Sequence, residues 1–166
     1  MASFTELGSI VPDLAVRARA ILSSTTNAVL GTVRRDGTPR LSGIDPFFHD
    51  GELHLGSMPD ARKGQDLRRD PRMVLHSIPW ESRRLRDGAA DPGAADVKLT
   101  GAASLVTDPA VIGAIFKTPA EDVDPATSGD LFVIDVVGLA VISVADDQLV
   151  IERWTATDGH HVIRRD

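Results

Sequence analysis

"LGSMPDARKGQDLRRDPRMVLHS", residues 55–77, sets five bases (Arg62, Lys63, Arg68, Arg69 and Arg72) and three acids (Asp60, Asp66 and Asp70) between two apolar stretches. Before it, Leu53 and Leu55 alternate with Glu52, His54 and Gly56, the pattern of a half-buried strand. After it, "RMVLHSIPW" reads as another strand. Between them, Pro59 fits a helix start, Asp60 suits the positive end of the helix dipole and Pro71 stops the run, with Gly64 counting against the helix. The stretch therefore reads as strand, short basic helix, strand. A helix in that position turns free backbone N–H groups toward the preceding strand end, where Ser57 offers a hydroxyl. Arg62 and Lys63 in its first turn are placed to reach a phosphate there. Arg68, Arg69 and Arg72 lie further on and are expected to face solvent or a partner chain.

The charge around this segment is uneven. Residues 1–59 carry net −1, residues 60–86 net +4 and residues 87–166 net −9, which together give the chain its −6. A local positive field in an acidic chain suits a bound anion of modest size rather than a nucleic-acid duplex. The alternative is a solvated helix face with internal pairs such as Asp66 with Arg69.

Working outward, "VPDLAVRARAILSS" reads as a helix with Pro12 in its first turn and Val11, Leu14, Ala18, Ile21 and Leu22 on one face. "AVLGTVRRDGTPRLSGIDPFFHDGELHLGS" reads as three strands turning at Asp36-Gly37 and Asp50-Gly51. "ESRRLRDGAADPGAAD" reads as a mobile loop, and "VKLTGAASLVT" as a strand with Gly101 at a bulge. "DPAVIGAIF" reads as a helix capped by Asp108 with Pro109 at its first position. "TPAEDVDPATSGD" is an acidic loop, and "LFVIDVVGLAVISVADDQLVIERWTA" supplies two more strands. The apolar run 131–144 is expected to bury part of its surface against a second copy of the chain. The sum is a mainly β (α+β) chain: about seven mostly antiparallel strands, closed into a barrel that removes its edges, with three flanking helices, in a single domain over residues 1–166.

The 166 residues suffice for a sizeable core, and 42% hydrophobic with 25% charged residues is ordinary for a globular protein. There is no cysteine, which excludes disulfides, thiolate catalysis and thiolate-bound metal. The start lacks the pattern of a secretory signal, and the longest apolar run is short and contains Asp135, so a cytoplasmic protein with no membrane partner is expected. His49 and His54 lack metal-ligand spacing, so no metal site is expected. There is no G-x-S-x-G nucleophile motif. Trp80 and Trp154 are expected in the core or an interface.

The ordered set from "GTVRRDGTPRLSG" through "DGELHLGS", "ARKG" and "RRDPRMVLHS" resembles the pyridoxamine 5′-phosphate oxidase-like family, the FMN-binding split barrels. The resemblance is close over Val29–Ser77 and looser through "KLTGAASLV" and "LVIERWTATDGHHVIRR". It implies a split β-barrel and a homodimer with the cofactor between protomers. Arg62 and Lys63, aided by Ser57, would hold the cofactor phosphate. Leu41, Ser42, Gly43 and Ile44 would lie along the ring system. Trp154 and the tail residues His160, His161 and Arg164 would approach the site of the other subunit. His160 and His161 are the candidate proton donors, with an exposed tail as the plainer reading.

Within this family the cofactor is FMN or the deazaflavin F420, and some members bind haem. F420 carries an acidic tail that Arg83, Arg84 and Arg86 could serve. The ending "GHHVIRRD" lacks the arginine pattern with which true pyridoxamine phosphate oxidases grip the vitamin, which favours a flavin- or deazaflavin-dependent reductase of another small-molecule substrate. The alternative is a non-catalytic cofactor- or haem-binding module on the same fold.

Overall fold

The computed structural model describes residues 1–124 and 127–166. Pro125 and Ala126, within the expected acidic loop, lie outside the described residues, as does the side chain of Trp80. Four α-helices occur among the described residues: α1 (Phe4–Ile10), α2 (Pro12–Ser23), α3 (Arg62–Arg69) and α4 (Pro109–Phe116). The strands are β1 (Ala28–Val33), β2 (Pro39–Ile44), β3 (Pro46–His49), β4 (Glu52–Ser57), β5 (Arg72–Ser77), β6 (Ala95–Leu105), β7 (Asp130–Ala145), β8 (Gln148–Thr155) and β9 (Gly159–Arg165).

Among the described residues there are nine strands where about seven were expected. β3 does not stand out in the sequence because Asp45 alone separates it from β2, and β9 alternates too few apolar residues to announce itself. Helix α1 is a further addition. Its sequence signal is a capping box: the Ser3 hydroxyl accepts from the Glu6 N–H, and the Glu6 carboxylate accepts from the Ser3 N–H. The bounds of α2 and α4 follow their prolines, and the Asp108 side chain accepts from the Ala110 N–H as expected.

Every strand pairing among the described residues is antiparallel, in the order β2-β1-β5-β6-β7-β4-β3. The 16-residue β7 changes partner along its length: β4 pairs Asp130–Val133 on one side, and β8 pairs Gly138–Ala145, with β9 beyond it. The register between β6 and β7 shifts at Thr100/Gly101, the bulge that Gly101 foretold. The core lies inside the curled sheet and under α1 and α2. It includes Leu7, Leu14, Ile21, Leu30, Leu53, Leu55, Leu75, Leu99, Phe132 and Ile134, each essentially out of water. Burial of this kind contributes about 25 cal/mol per Å² of apolar surface.

Candidate functional site

Helix α3 is fastened to the barrel by its acids and bases together. Asp66 is buried and accepts from Arg40 Nε on β2 at 2.6 Å, from Thr32 Oγ1 on β1 at 3.0 Å and from Arg69 at 3.3 Å. Burial pushes its carboxyl up, but these donors outweigh that and leave it below the usual carboxylate value. Arg68 pairs with buried Asp130 at the start of β7, and Arg69 also donates to the Val33 carbonyl. Arg68 and Arg69 remain exposed, while their guanidinium groups also satisfy acceptors within the chain. Exposed Arg72 is held by Asp70, whose carboxyl its guanidinium brings down to about 2. Gly64 lets α3 sit close, because a Cβ there would run into the Asp130 carboxylate and come within 2.9 Å of Ser57 Oγ.

The helix N-terminus is left open. Ala61, at the N-cap, gives no side-chain cap. The Ala61 N–H is taken by the Met58 carbonyl, while those of Arg62, Lys63 and Gly64 have no helical partner. Arg62 is exposed, with only a 3.5 Å contact to Gln65 Oε1. Lys63 Nζ donates to the Gly43 carbonyl at 2.7 Å, which brings together the two segments singled out in the sequence.

The remaining expected site residues divide by strand parity. Leu41 and Gly43 face outward on β2, Leu41 being 73% exposed. Half-buried Ser42 and buried Ile44 alternate with them, so Ile44 belongs to the core. Ser57 is buried between β4 and α3, its hydroxyl donating to the Met58 carbonyl at 3.4 Å. Trp154 stands apart within this chain. It is buried on β8 opposite Leu139, with β1, β5, β6 and β7 between its strand and β2.

A cavity of about 440 Å³ opens beside Gly43, lined also by Thr25, Asn27, Val29, Ile78, Ser82 and Arg84. Arg84 thus comes from the loop before β6 to the strand that Lys63 holds. The loop's other two arginines are structural. Arg83, nearly buried, donates to the carbonyls of Gly93 and Ala95; Arg86 donates to the Thr25 carbonyl at 2.7 Å and pairs with Asp45. These bonds, with an isolated bridge between Thr25 and Leu85, tie to the barrel a loop expected to move freely. His160 bonds Glu152 at 2.9 Å and His161 the Asp158 carbonyl at 2.8 Å, both on the β8–β9 hairpin. No group of His, Asp and Glu suited to a metal ion occurs among the described residues, and no helix there is long and apolar enough to cross a membrane.

This combination, an antiparallel barrel with a basic helix following an inner strand, is that of the split-barrel proteins. The pyridoxamine 5′-phosphate oxidase family profile matches residues 14–148, and the chain belongs to that family. No curated protein matches it. Among solved structures it is similar to a heme binding protein from Mycobacterium smegmatis (TM-score 0.61, 21% identity, 86% of this chain and 57% of the other). The chain therefore spans just over half of that protein's length. It is also similar to PhzG from Burkholderia lata 383, in complex with tetrahydrophenazine-1-carboxylic acid (TM-score 0.63, 11% identity, 98% and 91% covered). A third is a pyridoxamine 5′-phosphate oxidase-related, FMN binding protein from Nostoc punctiforme PCC 73102 (TM-score 0.55, 12% identity, 96% and 97% covered). At these identities the likeness is one of fold.

Proposed function

We propose that the chain is an oxidoreductase that uses FMN or F420, bound between two copies, to reduce a small molecule. The observation that carries this reading is the 2.7 Å bond from Lys63 to the Gly43 carbonyl, which places the open end of α3 beside the exposed edge of β2. The donor set suits a phosphate: an N-terminus without a side-chain cap, exposed Arg62 and half-buried Lys63. Leu41 and Gly43 present an apolar surface to a flat ring, and Arg84 lines the cavity beside Gly43. When bound, the flavin or deazaflavin supplies the hydride chemistry. The chain binds its phosphate, orients its ring against β2 and shields one face from water. Membership of the family supports the reading, and so does the likeness of fold to an FMN binding protein.

The test is a titration of the purified chain with FMN and with F420, for the wild type and for Lys63→Ala. Charge-assisted hydrogen bonds contribute on the order of 1.5–3 kcal/mol. Lys63→Ala is therefore expected to weaken cofactor binding roughly 10- to 150-fold. Arg84→Ala should weaken F420 and spare FMN if the acidic tail lies along that loop. The reading fails if neither cofactor binds at micromolar concentration, or if Lys63→Ala leaves affinity unchanged. A haem absorption band with no flavin or deazaflavin binding would instead favour the haem-binding module, the reading that the mycobacterial likeness of fold supports.

A further inference from the structure

The outer face of the sheet carries a second basic feature, away from α3. Continuous register aligns Val29, His76, Lys98, Ala140 and Arg153 in one row across β1, β5, β6, β7 and β8. The adjacent row holds Thr100, Gly138 and Thr155. Where the two rows cross β6, β7 and β8 there is a cavity of about 190 Å³. Lys98, Arg153, Thr100 and Thr155 surround it, and Gly138 and Ala140 leave it open.

Lys98 and Arg153 are two of only five bases in residues 87–166, a stretch that holds fourteen acids. Among the described residues, neither side chain has an ion-pair or hydrogen-bond partner, and Arg153 Nε is buried without one. Asp96, the acid nearest along β6 on the same face, lies 3.6 Å from Arg83. A buried donor without an acceptor destabilises the fold, and two cations facing one cavity add repulsion. Nothing in the fold requires this arrangement, since Lys98 is exposed and caps no carbonyl.

We infer that the Lys98–Arg153 pocket binds the carboxylate or phosphate group of a small ligand. A guanidinium with an ammonium beside it matches the two or three oxygens of such a group, and the two threonine hydroxyls can donate to them as well. The volume of about 190 Å³ admits an anionic head and the atoms attached to it. Lys98 and Thr100 also line a neighbouring, mostly apolar cavity of about 210 Å³ bounded by Leu41, Gly31 and Val74. The body of the ligand would lie there. Lys98 and Arg153 lie away from α3, but the cavity for the body of the ligand shares Leu41 with the surface proposed for the cofactor ring, and in that part the inference rests on the cofactor reading.

Amide NMR spectra of the cofactor-free chain are recorded during titration with inorganic phosphate and with benzoate, at constant ionic strength. Saturable shifts at the amides of Thr100, Gly138 and Thr155 are expected, with millimolar dissociation constants. Arg153→Gln and Lys98→Met should each weaken binding at least tenfold, and Arg84→Ala should not. Lys98 is exposed, so its variant remains informative if Arg153→Gln fails to fold. A response to phosphate alone or to benzoate alone supports the pocket and names the anion. The inference is overturned if neither probe shifts these amides, or if Lys98→Met leaves the dissociation constants unchanged. Shifts confined to Arg62–Gly64 would also overturn it, while leaving the α3 phosphate site supported.

Discussion

Two buried polar side chains set how the molecule meets acid. His54, on β4, stacks against Phe47 with ring centres 5.7 Å apart and contacts the Glu52 carbonyl through Nδ1 at 3.2 Å. Burial, assisted by nearby His49, holds it below the usual histidine value of 6.5 despite that hydrogen bond. Asp66 is held below 3.8, because the donors from Arg40, Thr32 and Arg69 outweigh its burial. Both shifts have the same sign. The unfolded chain takes up protons at a higher pH than the folded one, so stability is full at neutral pH and falls as pH drops. The fall begins near 6.5 through His54 and steepens below about 4 through Asp66. Thermal melts from pH 8 to pH 3 should show both stages. His54→Gln should flatten the first, and Asp66→Asn should make the second shallower, since Glu52 and Asp70 are also held low and contribute to it. At pH 7, Asp66→Asn should cost about 3 kcal/mol, since it leaves Arg40 without its counter-charge. Melting temperatures that do not move with pH would refute both assignments.

Among the elements, the β6–β7 ladder depends on one glycine. A Cβ on Gly101 would lie 2.5 Å from the Asp135 carbonyl oxygen and 3.2 Å from Ile134 Cγ2, and backbone cannot step aside as a side-chain tip can. Gly101→Ala is expected to destabilise the chain by about 1–3 kcal/mol in denaturant titration. Gly43→Ala, where a Cβ meets nothing within 4 Å, should cost much less. This bulge was legible in the sequence because a glycine inside an apolar alternation gives up packing that only a close backbone approach or a bulge compensates. The Asp-Gly turns were legible because Asp50 and Gly51 adopt φ of 48° and 87°, which few residue types tolerate, and the proline-led helices because proline fits only their first turn. Strand β9 was not, because most of its residues are exposed and its place depends on β8. At the site, Arg62, Lys63 and Gly43 could be named from local pattern. That Arg68, Arg69, Arg83 and Arg86 are fixed by acceptors elsewhere could not, since Asp130, Val33, Ala95 and Thr25 meet them only after folding. The Lys98–Arg153 pair was hidden likewise, joined only by register through Ala140.

For the whole molecule, the apolar run 131–144, part of whose surface was expected to meet a second copy, is divided: Leu131, Phe132, Ile134, Val136, Leu139 and Val141 are each 2% exposed or less, inside this chain's own core, while Val137 and Val144 stay exposed. The apolar surface left open near the candidate site lies instead around Leu41, 73% exposed, and Val74, 49% exposed. A dimer through that face, burying about 2,000 Å² or more in total, is the expected state at micromolar concentration. Light scattering should report a dimer mass for the wild type and a monomer for Val74→Lys; a monomeric wild type would refute the two-copy cofactor site. The split partnership of β7 has another consequence, for synthesis. Residues 54–57 of β4 find their β7 partners only at 130–133, so one side of the barrel stays open while the intervening chain is made. At about 5–20 residues per second this lasts on the order of 4–15 s. Throughout it, the nascent chain presents Leu53 and Leu55 beside an unpaired strand edge, and a chaperone that covers such edges on the ribosome should raise the yield of folded protein.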